Sequence, residues 1–192
     1  MSSSPIAQLA AWLKEAEARE PSEPAAMSVA TVDEHGQPSL RMVLLRGLDE
    51  RGLVFYTNLG SRKAADLRVN PRVACCLHWK SLARQVRVEG QAELVSDAEA
   101  DAYFASRPRD SQIGAWASKQ SQPLAGRFDL EKRVARYAAT YLVGAVPRPP
   151  FWSGFRVVPN RVEFWEEGHF RLHERTNWVL DDGAWSSHKL FP

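Results

Sequence analysis

Four clusters of side chains in this 192-residue sequence have types and spacing that could do chemistry. The first is Arg41-Met42-Val43-Leu44-Leu45-Arg46. On a strand, Arg41, Val43 and Leu45 share one face and Met42, Leu44 and Arg46 the other, so each Arg caps an apolar row. Such an Arg can hold an anion at the mouth of a barrel, and an ordinary edge charge would read the same way. The second cluster runs from Thr57 through Gly60 and Ser61 to Arg62 and Lys63. A helix start already favours anions through its free backbone N–H groups. Helices prefer acids in the first turn, so two cations there are unfavourable unless something negative sits nearby. A phosphate site and a solvated helix start both remain open. The third, Tyr103 to Gln112, mixes hydroxyls with Arg107 and Arg109 around Pro108 and suits a phosphate ester; Arg109-Asp110 would equally make a local ion pair. The fourth, His169-Phe170-Arg171-Leu172-His173, has the HxxxH form of a metal site on a helix. Its alternation reads instead as a strand, which would separate the two His by roughly 13 Å at about 3.3 Å per residue. No carboxylate or cysteine set has ligand spacing around it, so a metal is not expected. Arg171 and His173 share one face of that expected strand.

These clusters need elements to position them. Ser4-Pro5 is a helix start, and Ile6, Leu9, Ala10 and Leu13 form one face of a helix over 5–18. Residues 20–24 read as a polar linker. Residues 27–32 and 39–45 are strands around the turn Asp33–Pro38, and a turn at 47–52 leads to a strand over 53–57. A helix capped by Ser61 follows. Residues 72–79 and 84–95 are two further strands with short links, which implies an antiparallel meander or barrel. Ser96 and Glu99 form a capping box opening a helix through Ser106. Residues 107–122 read as irregular, with one helical turn near Ile113. A longer helix is expected over 124–143. Strands are then expected at 155–158, 161–165, 170–174, 178–180 and 185–190. The expectation is an α+β fold, a β-barrel core with peripheral helices: an N-terminal helix and linker over 1–24, free to move, and one domain over 25–192.

Composition narrows the class. Apolar residues are 44% and charged residues 25%, as in globular domains, and the net charge is +2. That balance disfavours a non-specific nucleic-acid binder, which needs a concentrated basic face. Six of the 25 basic residues are Lys and the rest Arg, whose planar fork grips carboxylate or phosphate in two places. An Arg-rich codon usage explains such a bias as well. No apolar run approaches the ~20 residues needed to cross a bilayer. The first twenty residues lack the pattern of a signal peptide, which points to the cytosol. Cys75 and Cys76 are adjacent and point to opposite faces of a strand, so they are expected as free thiols. No GxGxxG, P-loop, GxSxG or HExxH pattern is present. Trp152, Trp165 and Trp185 lie near turns, where they could wall a flat aromatic ligand; core packing is the default reading.

The order and spacing of the four clusters resemble the pyridoxine/pyridoxamine 5′-phosphate oxidase family. The similar stretches are SVATVDEHGQPSLRMVLLR, GLVFYTNLGSRKAADLRVNPRV, RQVRVEG, YFASRPRDSQIGAWASKQS, PPFWSGFRV and EFWEEGHFRLHER, from about Met27 to the C-terminus. The resemblance implies an FMN-binding antiparallel split β-barrel working as a homodimer, with FMN at the subunit interface. It implies flavin contacts at Arg41, Met42, Val43, Leu44, Leu45, Arg46, Tyr56, Thr57, Arg62, Lys63, Gln85, Gln120, Ser121, Trp165 and Arg175. It implies a substrate phosphate held by Tyr103, Arg107 and Ser111, with Arg46 and Leu172 also at the substrate. Arg171 and His173 match the pair over the pyridine ring and carry the catalytic expectation.

The implied reaction moves a hydride from C4′ of pyridoxine or pyridoxamine 5′-phosphate to flavin, which dioxygen reoxidises with release of hydrogen peroxide. The product is pyridoxal 5′-phosphate; the amine substrate passes through an imine that water hydrolyses. Two positions depart from the family pattern: Arg46 stands where Lys is usual, and the tail reads Lys189-Leu190-Phe191-Pro192 where Arg-Leu-x-Pro is frequent. Two rival readings keep the fold: a split-barrel FMN oxidase acting on a phenazine-type aromatic, and a non-enzymatic carrier of flavin or pyridoxal phosphate. An RNA-binding barrel is a third, disfavoured by the charge. No membrane or nucleic-acid partner is expected.

Overall fold

A computed structural model of the chain describes residues 4–126 and 128–192. Residues 1–3 of the expected N-terminal segment and residue 127 of the expected 124–143 helix lie outside them. The chain opens with helix α1 (Pro5–Arg19), capped by Ser4 Oγ accepting from the Ile6 amide. Strands β1 (Ala26–Val32) and β2 (Pro38–Leu44) form a hairpin, β3 (Gly47–Asp49) and β4 (Gly52–Asn58) a second. Helix α2 (Arg62–Val69) precedes the pair β5 (Arg72–Trp79) and β6 (Arg84–Leu94). Helices α3 (Asp97–Ser106), α4 (Arg109–Ala117) and α5 (Asp129–Thr140) come before the long strand β7 (Trp152–Glu166), and β8 (Glu174–Asp181) and β9 (Ala184–Leu190) close the chain.

All nine strands belong to one antiparallel sheet ordered β2-β1-β5-β6-β7-β4-β3, with β8 and β9 added along the second half of β7. The ends of that order, β2 and β3, are separated in the chain by Leu45 and Arg46 alone. The Leu45 amide bonds Ala25 on one side and the Arg46 amide bonds Val54 on the other. Chain continuity therefore curls the sheet on itself and brings the two ends of that order together. The interior is filled by alternate residues, among them Met27, Val29, Phe55, Leu77, Val86, Val88, Val157 and Phe164. Burying such side chains is worth ~1.5–3 kcal/mol each before entropy is charged against it. Cys75 faces this core and Cys76 the other side of β5; both are free thiols. Burial pushes the Cys75 thiol up to about 12.

Residues 4–24 are packed against the barrel. Leu9 and Ala16 are fully buried, Trp12 meets Phe164 edge-on at 5.0 Å, and Arg84 sits over the Trp12 ring while pairing with Glu15. Trp79 Nε1 donates to Pro24 O (2.8 Å) and fastens the linker.

Several expected elements are corrected. The turn at 47–52 contains strand β3. The strands expected at 155–158 and 161–165 are one strand, because Pro159 sits at a register shift opposite Glu89 and Gly90, where a missing N–H costs no ladder bond. The region 107–122 is not irregular: Ile113 and Ala117, four apart, bury one face of α4, and Gln112 Nε2 donates to Phe104 O (2.8 Å). Helix α5 is shorter than 124–143. Residues 170–173 of the strand expected at 170–174 are not strand, which begins only at Glu174; a 3-10 turn at His169–Arg171 stands there, with Phe170 (φ 56°) and Arg171 (φ 63°) both left-handed. Ser61 stands at the N-cap of α2 but its side chain makes no cap bond; its hydroxyl accepts from Lys63 Nζ instead (3.4 Å).

Candidate active site

Strands β2 and β4, the start of β7 and helices α2 to α4 enclose a cavity of about 700 Å³. Its aromatic wall is a stack. The Tyr56 ring lies 3.9 Å from Tyr103 and 5.2 Å from Trp152, all nearly parallel. Gly154 makes this possible, because a Cβ there would stand 2.8 Å from the Tyr56 ring. Burial, then Glu99 and Tyr103, pushes the Tyr56 hydroxyl up.

Two cations, Lys63 and Arg107, reach this cavity without a carboxylate partner among the described residues. Lys63, 8% exposed, donates to Thr57 Oγ1 (3.0 Å), Ser61 Oγ (3.4 Å) and Gln120 Oε1 (3.2 Å). Burial, reinforced by Arg41, pulls its pKa down to about 8. Arg107 lies over the Trp152 ring at 4.8 Å and the Phe104 ring at 5.6 Å. Its Nη1 is buried with no hydrogen-bond partner among the described residues, and burial pulls its pKa down. A buried donor left unpaired costs ~1–3 kcal/mol, more when charged, so Arg107 Nη1 is a donor free for an anion, whereas Lys63 places its three donors on neutral oxygens. Ser111, on the first turn of α4, lines the same space.

A smaller cavity of about 370 Å³ shares Met42, Lys63 and Gln120 with the first and adds Arg41, Arg62 and Ser121. Ser121 Oγ accepts from the Arg62 amide at the start of α2 (3.2 Å). Arg41 is held by Thr31 Oγ1 (2.8 Å), Ser39 Oγ (2.7 Å) and Val29 O (3.0 Å). Asp66 binds Thr31 (2.6 Å) and lies 3.8 Å from Arg41. Three cations and one buried carboxylate leave the pocket positive, which favours a phosphate at this helix start.

Several of the other expected site residues fall elsewhere. Trp165, Arg171 and His173 line a third cavity of about 760 Å³ that shares no lining residue with the first two. The Trp165 and His173 rings are 4.7 Å apart. Gln85 and Arg175 face Trp165 from its two neighbouring strands, and Arg175 is held by Glu163 (2.9 Å) and Phe191 O (2.9 Å). Val43, Leu44 and Arg46 line the first cavity, and Arg46 lies 3.8 Å from Glu23. Leu45 is buried in the barrel core and lines neither of the first two cavities. Leu172 is exposed. Of the three tryptophans, Trp152 and Trp165 wall cavities, whereas Trp185 packs against the core. Sequence reasoning missed Asp66 and Thr31. A lone Asp inside the basic stretch 61–70 was the available signal, since an acid on the buried face of a helix needs a partner.

The family described as pyridoxamine 5′-phosphate oxidase matches residues 13–165, and the pyridoxine 5′-phosphate oxidase C-terminal dimerisation region matches residues 152–192. A pyridoxine/pyridoxamine 5′-phosphate oxidase of Rhodospirillum rubrum is 60% identical, covering 98% of this chain and 96% of that one. The enzyme of the same name from Agrobacterium fabrum is 56% identical, covering 98% and 92%. The crystal structure of PhzG from Burkholderia lata in complex with tetrahydrophenazine-1-carboxylic acid superposes with a TM-score of 0.94 at 34% identity, covering 99% and 93%. An FMN-binding protein from Nostoc punctiforme, related to pyridoxamine 5′-phosphate oxidase, has a TM-score of 0.80 at 19% identity and shares the fold. The chain, a split barrel with a dimerisation region, belongs to the pyridoxamine 5′-phosphate oxidase family and is an oxidase.

Proposed function

We propose that the chain is an FMN-dependent homodimer that oxidises pyridoxamine and pyridoxine 5′-phosphates to pyridoxal 5′-phosphate. Dioxygen is consumed and hydrogen peroxide released; the amine substrate also consumes water and releases ammonia. The observation that carries this reading is that two cations, buried Lys63 and half-buried Arg107 with its Nη1 atom buried and unpaired, line one cavity with no carboxylate partner among the described residues. Two phosphate esters, one on a flavin and one on a vitamer, satisfy both.

The residues present fit FMN. Lys63, Arg62, Arg41 and Ser121 would hold its phosphate, and Gln120 would hold Lys63 in place. When bound, the flavin supplies the two-electron acceptor that dioxygen restores. Arg107, Tyr103 and Ser111 grip the substrate phosphate and so hold a small ring at fixed depth, a proximity effect. Arg171 carries positive charge to the C4′ substituent. The Gly168 amide donates to His173 Nδ1 (3.4 Å), which favours the ring proton on Nε2, free to orient that substituent. Because the third cavity is separate from the first, we assign Arg171 and His173 to the active site of the partner subunit, which the dimerisation-region match supports.

The test is a visible spectrum of the purified protein, then oxygen uptake with each phosphorylated vitamer. Absence of bound flavin, or no peroxide with either vitamer, overturns the reading. The likeness to PhzG favours a second reading, oxidation of a reduced phenazine carboxylate. Faster oxygen uptake with that acid than with either vitamer would establish it.

A further inference from the structure

We propose that Arg148 is a positioning residue that aims the substrate-phosphate anchor; this rests on the reading of Arg107 given above. Arg148 lies in the connector between α5 and β7 and is absent from the cavity lining. Its guanidinium reaches in three directions. Nε donates to Asp101 Oδ1 (2.5 Å), Nη2 to Asp97 Oδ1 (2.7 Å) and Nη1 to Trp152 O (2.8 Å). The two carboxylates are one turn apart on α3, and the third acceptor begins β7.

Those attachments are the two supports of Arg107. Helix α3 ends at Arg107, its C-cap, after placing Tyr103. The Trp152 ring lies under the Arg107 guanidinium at 4.8 Å and stacks with Tyr103 at 6.2 Å. Among the described residues no carboxylate aims Arg107, so its direction is set by the helix that carries it and the ring beneath it. Arg148 locks those two to each other. On the far side of α3, Arg156 bonds Glu99 (2.6 Å) and Asp49 (2.9 Å) and is itself buried. Arg156 is the buried member and its two carboxylate partners are partly exposed, so it joins α3 to β3 and belongs to the framework. Asp97 and Asp101 face solvent, so removing Arg148 buries no unpaired acid and leaves a folded chain to measure.

The experiment uses the full-length, flavin-loaded enzyme. It compares Arg148→Ala, Arg148→Lys and the double variant Asp97→Asn/Asp101→Asn, alone and combined with Arg107→Ala. The readouts are KM and kcat for pyridoxamine 5′-phosphate and for unphosphorylated pyridoxamine, and flavin affinity by fluorescence. We expect Arg148→Ala to raise KM for the phosphorylated substrate roughly 10-fold, an ordinary size for coupled neighbours. Values of kcat, flavin affinity and KM for the unphosphorylated amine stay unchanged, Arg148→Lys recovers part of the loss, and the effect vanishes on the Arg107→Ala background. The double Asp variant should reproduce it, and carries the test if Arg148→Ala does not fold. Equal losses on both substrates, or losses that add to those of Arg107→Ala, overturn the proposal. If Arg107→Ala raises KM and Arg148→Ala does not, the anchor stands and the clamp alone falls. If Arg107→Ala leaves KM unchanged, the anchor reading falls and takes the clamp with it.

Discussion

An ammonium group buried among three oxygens and no carboxylate is costly to keep charged, and Lys63 is in that position. Its pKa is about 8 in the folded chain against an ordinary 10.5. Below pH 8 folded and unfolded chains both carry the proton, and the folded one bears the full cost of burying it. Between 8 and 10.5 the unfolded chain holds more protons, so this contribution to stability improves as pH rises. A bound phosphate favours the charged form. FMN should therefore bind with proton uptake near pH 8 and weaken above it, approaching tenfold per pH unit. Lys63→Met should remove that slope, weaken FMN binding, and stabilise the flavin-free protein at pH 7 by on the order of 1 kcal/mol. Fluorescence titration and thermal melts across pH 7–10 check both, and a flat FMN affinity over that range contradicts the account. Arg107→Ala should raise KM for a phosphorylated vitamer by roughly 10- to 100-fold, the loss of one or two charge-assisted hydrogen bonds. Steady-state oxygen uptake measures it.

At the scale of elements, the residues to which the proposed function gives roles sit where regular structure ends. Arg62 and Lys63 open α2, Arg107 closes α3, and Arg171 stands in the turn between β7 and β8. That turn is strained, with two consecutive left-handed non-glycine residues, and a Cβ on Gly168 would lie 2.0 Å from Leu172 O. Gly168→Ala must therefore open the turn. It should cut turnover by at least about 10-fold through misplacement of Arg171, while circular dichroism shows the sheet intact. Helix α1 contributes stability rather than chemistry. Leu9→Ala should cost about 2–5 kcal/mol, because a fully buried side chain leaves a cavity, and the denaturation midpoint will show it. The legibility of these elements followed their periodicity. The β1–β2 hairpin and α1 alternate cleanly, so they were readable. Helix α4 was hidden by Arg109, Asp110, Ser111 and Gln112, whose polarity masked the buried pair Ile113 and Ala117. The turn at 169–171 was misread because His-Phe-Arg-Leu-His alternates like a strand, and only Gly168 held closely against Leu172 bends it.

For the whole molecule, the decisive fact is that Lys63 and Arg107 line one cavity and Arg171 and His173 another. A two-fold dimer would bring unlike walls together twice, since a symmetric interface presents each patch to its counterpart. Mixing Arg107→Ala subunits with Arg171→Ala subunits after dissociation and reassembly should then restore activity. Each mixed dimer has one intact site and one doubly damaged site, so random pairing returns about a quarter of wild-type turnover. A mixture that stays as inactive as its parents would place both walls within a single chain.

The sequence by itself pointed to the barrel, through strands with short links, and its resemblance to a known family singled out Arg41, Arg62, Lys63 and Arg107 among the cations. It also marked Arg171 and His173 as a pair. Tertiary structure decided which of these groups meet. Sequence distance says nothing about whether Lys63 and Arg107 enclose one volume, whether a carboxylate such as Asp66 reaches Arg41, or whether Arg148 ties α3 to Trp152. Those outcomes depend on desolvation and on contacts between residues far apart in the chain, and both arise only once the sheet has closed.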